Sequence, residues 1–162
     1  MSRSGNFGVN YKKTYGSAPS INEAVVGDLG SNVHGEWIFV QASGAVAQYD
    51  FVVISSAYAA SSLTTTNAGA TAQYVGVAQA ALASGEYGWV WIGGPAGGGV
   101  GSGIKGNVSA AVTIASIVYT TATAGQVSNT ATTKVQNVSP TAATAGAGSV
   151  ELRSFGYLNV NA

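Results

Sequence analysis

The sequence predicts an all-β protein: a compact β-barrel or β-sandwich-like domain with little helix, preceded by an extended N-terminal arm. Short runs rich in aromatic and β-branched residues recur along the chain between clusters of glycine, alanine and serine, which is typical of strands joined by turns. Threonine, valine and glycine interrupt the alanine-rich segments, and no apolar stripe of helical spacing continues over three turns. These observations predict little helix.

The composition limits the possible functions. A chain of 162 residues can bury a substantial core, but only 7% of its residues are charged, against about 25% in ordinary soluble proteins. A surface with few charges does little to keep a monomer soluble. We therefore expect assembly to cover much of the surface. A rigid fold with a neutral, hydroxyl-rich surface is the alternative.

Several classes of function are disfavoured by the same composition. The zero net charge argues against a nucleic-acid partner, which needs a basic face. The chain has no cysteine for a disulfide or a thiolate metal site. No apolar run reaches the roughly 18 residues of a membrane span, and the first residues lack the apolar core of a signal peptide. We therefore expect neither nucleic acid nor membrane as a partner.

Residues 1–36 differ from the rest and are predicted to be the extended arm. They hold six of the twelve charged residues, and glycine and proline break any long element. We expect the arm to order on a partner, although a disordered terminus is the simpler alternative. Ser20 and Glu23, at capping-box spacing, predict one short turn of helix over 20–24. The residues expected to bind the partner are Phe7, Tyr11, Lys12, Lys13 and Tyr15.

Residues 37–162 are predicted to form the β-rich domain, in two similar halves at 37–94 and 104–162. The glycine-rich segment 93–103 would join the halves as a loop, and 56–72 is interpreted as a second loop. A weak repeat supports the division. Val77 precedes Gly85 by the same spacing as Val138 precedes Gly146, and an alternating strand follows each glycine, with Val90 and Ile92 in the first half and Val150 and Leu152 in the second. Strands are predicted at 36–41, within 45–55, as a pair within 74–94, within 108–121, near 125–127, at 134–138 and at 149–158.

The stretch 74–94 is predicted to be the centre of the fold. Tyr87, Trp89 and Trp91 alternate, so a strand places them on one face, with Val90 and Ile92 on the other. An exposed aromatic row would indicate a binding surface, but burial in the core is the more common arrangement. The residues expected in the core are Trp37, Phe39, Phe51, Val77, Trp89, Trp91, Val150 and Leu152.

No motif indicates catalysis, a cofactor or a metal. His34 is the only histidine and has no nucleophile motif beside it. Gly101 to Gly106 matches G-x-G-x-x-G, but a strand-like segment follows where a dinucleotide site needs a helix. The carboxylates that could act as acid and base are scattered at predicted turns and strands. They are Glu36, Asp50, Glu86 and Glu151.

The chain resembles the small decoration, or cement, proteins of tailed bacteriophage capsids. The resemblance covers about residues 45–153 and lies in the general residue pattern of the strands and turns, without a sharp motif. It is carried by Val75 to Ala78, the turn Ala83 to Glu86, the strand Trp89 to Ile92 and its echo from Val135 to Leu152. It implies a β-rich homotrimer, made in the host cytoplasm, that sits on the outer capsid surface and clamps neighbouring major capsid proteins. It implies no catalytic residues, and it assigns residues 1–36 as the capsid-binding arm.

A second hypothesis is a trimeric head-fibre or tail-fibre module that binds host-surface carbohydrate. The aromatic row at 87–91 would serve that function if it were exposed. An enzyme is the least favoured class, because no catalytic constellation is visible.

Overall fold

The computed structural model describes residues 9–19, 23–69, 74–94, 97–99 and 101–161. These residues form strands, turns and loops without any helix, which confirms the all-β prediction, and hence contain no helix able to cross a membrane. The strands are β1 Leu29–Asn32, β2 Gly35–Ala42, β3 Phe51–Ile54, β4 Ala59–Ser62, β5 Tyr74–Ala78, β6 Tyr87–Gly94, β7 Lys105–Val108, β8 Val118–Thr120, β9 Val127–Ser128, β10 Lys134–Pro140 and β11 Gly148–Asn161.

The first five strands after β1 close into a barrel. β2 pairs antiparallel with β6, β6 with β5, β5 with β3 and β3 with β4. β4 then pairs in parallel with β2 and completes the ring. β1 lies outside the ring, antiparallel to the first half of β2.

The last five strands repeat these pairings in the same order and sense. β7 pairs antiparallel with β11, β11 with β10, β10 with β8 and β8 with β9. β9 meets β7 in parallel at Val127 and Val108, which closes a second ring. The rings join where Gly93 and Gly94 of β6 pair with Tyr157 and Gly156 of β11. The fold is therefore one five-stranded topology used twice.

Two loops of each ring meet in a β-bridge. They are residues 43–50 and 79–86 in the first ring and residues 109–117 and 141–147 in the second. In the first ring, Val46 and Leu82 exchange two backbone hydrogen bonds of 2.9 Å. Val112 and Thr144 form the corresponding bridge in the second ring. Counted from these bridges, Val77 corresponds to Ser139, one residue from the match with Val138 that the sequence repeat suggests.

In three of the four loops, the residue three positions after the bridge residue has a left-handed backbone conformation. Its φ angle is 70° at Tyr49, 85° at Gly85 and 58° at Ala115. Positive φ at the third position of a four-residue turn is the mark of a type II turn. The loops therefore share a backbone conformation that their amino-acid sequences do not share.

Both faces of the central strands are buried. In β6, Trp89 and Trp91 belong to one hydrophobic cluster, whereas Val90 and Ile92 belong to another. β2 divides in the same way, as Trp37 and Phe39 join the first cluster and its alternate residues the second. All eight residues expected in the core are buried: Trp37, Phe39, Phe51, Val77, Trp89, Trp91, Val150 and Leu152.

Some predicted boundaries differ from the structure. β1 and the start of β2 lie within residues 1–36, so this segment is partly built into the sheet. The apolar part of 45–50 belongs to the loop at 43–50, and β4 lies in the segment interpreted as a loop. Residues 98 and 99 of the glycine-rich segment donate hydrogen bonds to the carbonyls of His34 and Leu152. The predicted helical turn at 20–24 lies mostly outside the described residues.

A buried aspartate fastens the two rings to each other. The carboxylate of Asp50 accepts hydrogen bonds from the Ala47 amide, the Ser62 hydroxyl and the Asn107 side-chain amide, at 3.0 to 3.1 Å. Gly125 packs against it with φ of 74°, and its carbonyl accepts a hydrogen bond from the Phe51 amide at 2.8 Å. A Cβ at Gly125 would lie 2.1 Å from the Asp50 carboxyl carbon.

We predict that Gly125→Ala destabilises the protein more than Gly85→Ala. Both positions have left-handed φ, which costs a residue with a Cβ about 1–2 kcal/mol. A Cβ at Gly85 meets no atom within 4 Å, whereas at Gly125 it meets Asp50. Overpacking should therefore add about 1–3 kcal/mol to the loss at Gly125. Urea unfolding followed by tryptophan fluorescence measures both, and equal losses would show that Asp50 moves aside at little cost.

Candidate functional site

The structure seats part of the N-terminal arm on the first barrel. The ring of Tyr11 stacks on Trp37 with 4.7 Å between ring centroids, and Tyr15 meets Phe39 edge-on at 5.8 Å. Tyr15 and Tyr87 exchange two backbone hydrogen bonds of 2.9 Å. The arm thus has a place on its own chain, which the sequence hypothesis did not include. Phe7, the remaining aromatic residue predicted for the arm, lies outside the described residues.

The lysines of the arm make exposed contacts. The Lys13 ammonium lies 3.2 Å from the Glu23 carboxylate and 4.4 Å from the Tyr15 ring centroid. Hydrogen bonds to Tyr15 and to Glu23 raise the pKa of Lys13 above its usual value. Lys12 lies 5.9 Å from the centroid of the Tyr11 ring. Because these contacts face solvent, they hold the arm only weakly.

The aromatic row on β6 is part of the core. Trp89 and Trp91 are buried, while Tyr87 is half-buried beneath the arm. The indole N–H of Trp91 donates a hydrogen bond of 2.8 Å to the His34 carbonyl. These tryptophans therefore do not present a surface to a glycan.

The predicted acidic residues serve turns and cross-links. Glu86 accepts a hydrogen bond from the Ala83 amide, and Glu151 accepts one from the Gly101 amide. Within the described residues, no group of three or more metal-ligating side chains comes together. The G-x-G-x-x-G segment runs directly into strand β7.

One candidate contact surface lies at the edge of the first barrel. Among the described strands, β1 alone has a single strand neighbour, and its outer side makes no backbone hydrogen bond to a described residue. Val25 and Leu29 are nearly half exposed beside it, and Val33 is 94% exposed. We call β1 with Val25, Leu29 and Val33 the open-edge surface.

A second candidate surface is a groove on the other ring. It has a volume of about 270 Å³ and lies over β10 and β11, beside the loop at 115–117. Its rim carries the cations Lys134 and Arg153 together with the exposed apolar side chains of Ile117 and Phe155. We call it the cationic groove. The sequence did not indicate it, because its lining comes from three distant parts of the chain.

The backbone is unusual at this groove. Asn137 has φ of 61° at a register shift between Gln136 and Val138 of β10. Its side-chain amide donates a hydrogen bond of 2.9 Å to the Tyr157 carbonyl. Bulges of this kind re-aim side chains and occur often beside functional sites. The bulge interrupts the regular pairing of β10 with β11 at the groove.

A hydrogen bond between side chains joins the two rings near the β6–β11 junction. The Tyr157 hydroxyl donates to the Glu36 carboxylate at 2.6 Å. This bond, with smaller effects of burial and of the charges of Glu36 and Tyr74, raises the pKa of Tyr157 above its usual value near 10. The raised pKa means that folding favours the protonated phenol.

Comparison of the sequence with models of known protein families, and with curated proteins, finds no match.

We predict that Tyr157→Phe lowers the stability at neutral pH by about 0.5 kcal/mol, the low end for a hydrogen bond because the site is partly exposed. Since the folded pKa is raised, this contribution is complete below pH 10 or so and is lost as the pH rises through the folded value. Urea unfolding of both proteins from pH 7 to pH 11 should show the difference shrinking.

Tyr119→Phe is the matched control for this titration. The Tyr119 hydroxyl has no hydrogen-bond partner among the described residues, so its removal should change the stability little. A stability difference at Tyr157 that stays constant through pH 11 would contradict a role for the bond to Glu36.

Proposed function

We propose that the chain is a structural virion protein, a capsid decoration protein that binds the outer surface of a phage head. In this proposal it acts as a homotrimer and stabilises contacts between neighbouring major capsid proteins. The proposal combines the sequence resemblance with the surface features described above. The open-edge surface is the observation that carries it.

An open strand edge favours association with another chain. Its backbone N–H and C=O groups can pair with a further strand, so natural proteins protect such edges with charge, proline or bulges. The segment from Leu29 to Gly35 has no charged residue and no proline, and Leu29 and Val33 add exposed apolar area. A neighbouring chain on this edge would cover both the polar and the apolar groups.

The arm supports the proposal through its exposed cations. Tyr11 and Tyr15 stay packed on their own barrel and place Lys12 and Lys13 at the surface. The Lys13–Glu23 pair is screened by solvent, so exchanging it for a contact with a neighbouring chain costs little. On a symmetric shell, many such modest contacts add up to tight attachment.

No observation favours the alternative of a carbohydrate-binding fibre module. That hypothesis depended on an exposed aromatic row, and Trp89 and Trp91 are buried in the core.

We predict that the purified protein binds phage heads that lack it, and that the variant Leu29→Lys with Val33→Asp binds at least about tenfold more weakly. The two charges would be buried unpaired at the interface, at a cost of several kcal/mol. Co-sedimentation with heads over a concentration series gives the affinities. Electron cryo-microscopy of decorated heads gives the position of the chain and its copy number.

The control is Ala122→Lys with Ala124→Asp, which makes the same change of charge on an exposed turn of the second ring. It should bind like the unchanged protein, and unfolding midpoints should show that both variants are folded. Unchanged binding by the open-edge variant would exclude that surface. Failure of the unchanged protein to bind any head would overturn the proposed function.

A further inference from the structure

We propose that the cationic groove binds an extended acidic segment, carrying an apolar side chain, that belongs to a different protein. The assignment of that protein as a capsid subunit rests on the proposed function. The chemistry of the segment does not, since it follows from the groove alone.

The charges of the chain are unevenly used. Its only ion pair among the described residues joins Lys13 and Glu23, and Lys134 and Arg153 therefore have no side-chain carboxylate within 4.0 Å. Every one of the six acidic residues is engaged elsewhere. The pairs are Glu23 with Lys13, Asp28 with the Val25 amide, Glu36 with Tyr157, Asp50 with Ser62 and Asn107, Glu86 with the Ala83 amide, and Glu151 with the Gly101 amide.

The groove holds one of its cations in a defined position. The Arg153 guanidinium lies 4.8 Å from the Phe155 ring centroid, and its Nε donates a hydrogen bond of 3.4 Å to the Ser139 hydroxyl. A guanidinium fixed at one edge still presents its remaining N–H groups for two parallel bonds to a carboxylate. Arg153 is therefore prepared to bind an acidic side chain.

Apolar side chains flank these cations. Phe155 is 60% exposed and Ile117 is 49% exposed on the walls of the groove, while Val135 and Val138 are buried beneath it. An exposed aromatic and an exposed isoleucine gain stability when an apolar group covers them. The best occupant therefore alternates acidic and apolar side chains.

The shape of the groove suits an extended segment. β8 pairs with β10 only at Lys134 and Val135. Residues 137–139 of β10 therefore have no partner strand on this side, and the groove separates them from the loop at 115–117. The volume of about 270 Å³ is near the lower limit of small-molecule pockets, at about 300 Å³. It accommodates a few side chains of a passing strand.

A second copy of the chain does not fit this requirement. Its six carboxylates already serve as acceptors within their own chain, and Asp50 is buried, whereas an acidic segment of another protein brings carboxylates without such partners. Association through the groove would then add charge repulsion without a compensating anion. We therefore assign the occupant to another protein.

The test uses a capped heptapeptide of sequence GDLEFDG and its basic counterpart GKLKFKG as probes, with the whole protein labelled for NMR. We expect the acidic peptide to shift the backbone amides of Val135, Asn137 and Ser139, and the basic peptide to shift none of them. Lys134→Glu with Arg153→Glu should weaken binding about tenfold or more, and Phe155→Ala several-fold. Added salt should weaken the binding of the unchanged protein.

Lys105→Glu with Ala122→Glu and Ala124→Glu makes the same change in net charge outside the groove and should bind the acidic peptide nearly as well as the unchanged protein. The proposal is overturned if the acidic peptide shifts no groove amide at millimolar concentration, or if both charge variants bind it equally. It is also overturned if sedimentation shows that the groove substitutions dissociate a self-assembled oligomer, since the occupant would then be a second copy.

Binding to heads separates this inference from the proposed function. If the unchanged protein binds no head but binds the acidic peptide, the proposed function fails and the groove assignment stands. If the groove variant loses the peptide yet decorates heads normally, the segment does not belong to a capsid subunit.

Discussion

Burial of both faces of the central strands is the constraint on which the structure depends. A lone barrel with Trp37, Phe39, Trp89 and Trp91 on its outer face would expose its largest side chains to water, at a cost of about 1.5–3 kcal/mol for each. The second ring and the arm cover that face, because buried residues of both halves belong to one cluster with these four. Stability of the first ring is thus tied to the presence of the second.

The seam between the rings must satisfy buried polar groups as well as cover apolar ones. Gln79 is buried, and its amide both donates to the Lys105 carbonyl at 2.8 Å and accepts from the Lys105 amide at 3.1 Å. The Gln79 side chain thus satisfies both backbone groups of Lys105, as a neighbouring strand would do at the start of β7. The Asp50 carboxylate accepts hydrogen bonds from the Ala47 amide in its own turn and from the Asn107 side chain on β7. Since unpaired buried groups are costly, these two side chains specify one relative placement of the rings.

Sequence patterns predicted those parts of the fold that depend on neighbouring residues. Alternation from Tyr87 to Ile92 correctly placed Trp89 and Trp91 on one face and Val90 and Ile92 on the other, because strand geometry alone assigns the faces. β4, with sequence AASS, has no such pattern; ring closure through backbone pairing with β2 makes it a strand. The cationic groove could not be predicted, since Ile117, Lys134 and Arg153 meet only through the folding of the second ring. The bond of Glu36 to Tyr157 was missed for the same reason, since it joins residues 121 positions apart in the sequence.

The few charged side chains of the protein divide by sign in the contacts that they make. Acidic side chains cap turns, cross-link the rings or pair with the arm, so anions are used to fold the chain. Lys134 and Arg153 pair with no carboxylate of their own chain and lie at the rim of a groove beside exposed Phe155. Solvated cations alone would need no explanation, but here a backbone bulge and two apolar walls accompany them. The acidic segment proposed for this groove would give the two cations the carboxylate partners that their own chain does not provide.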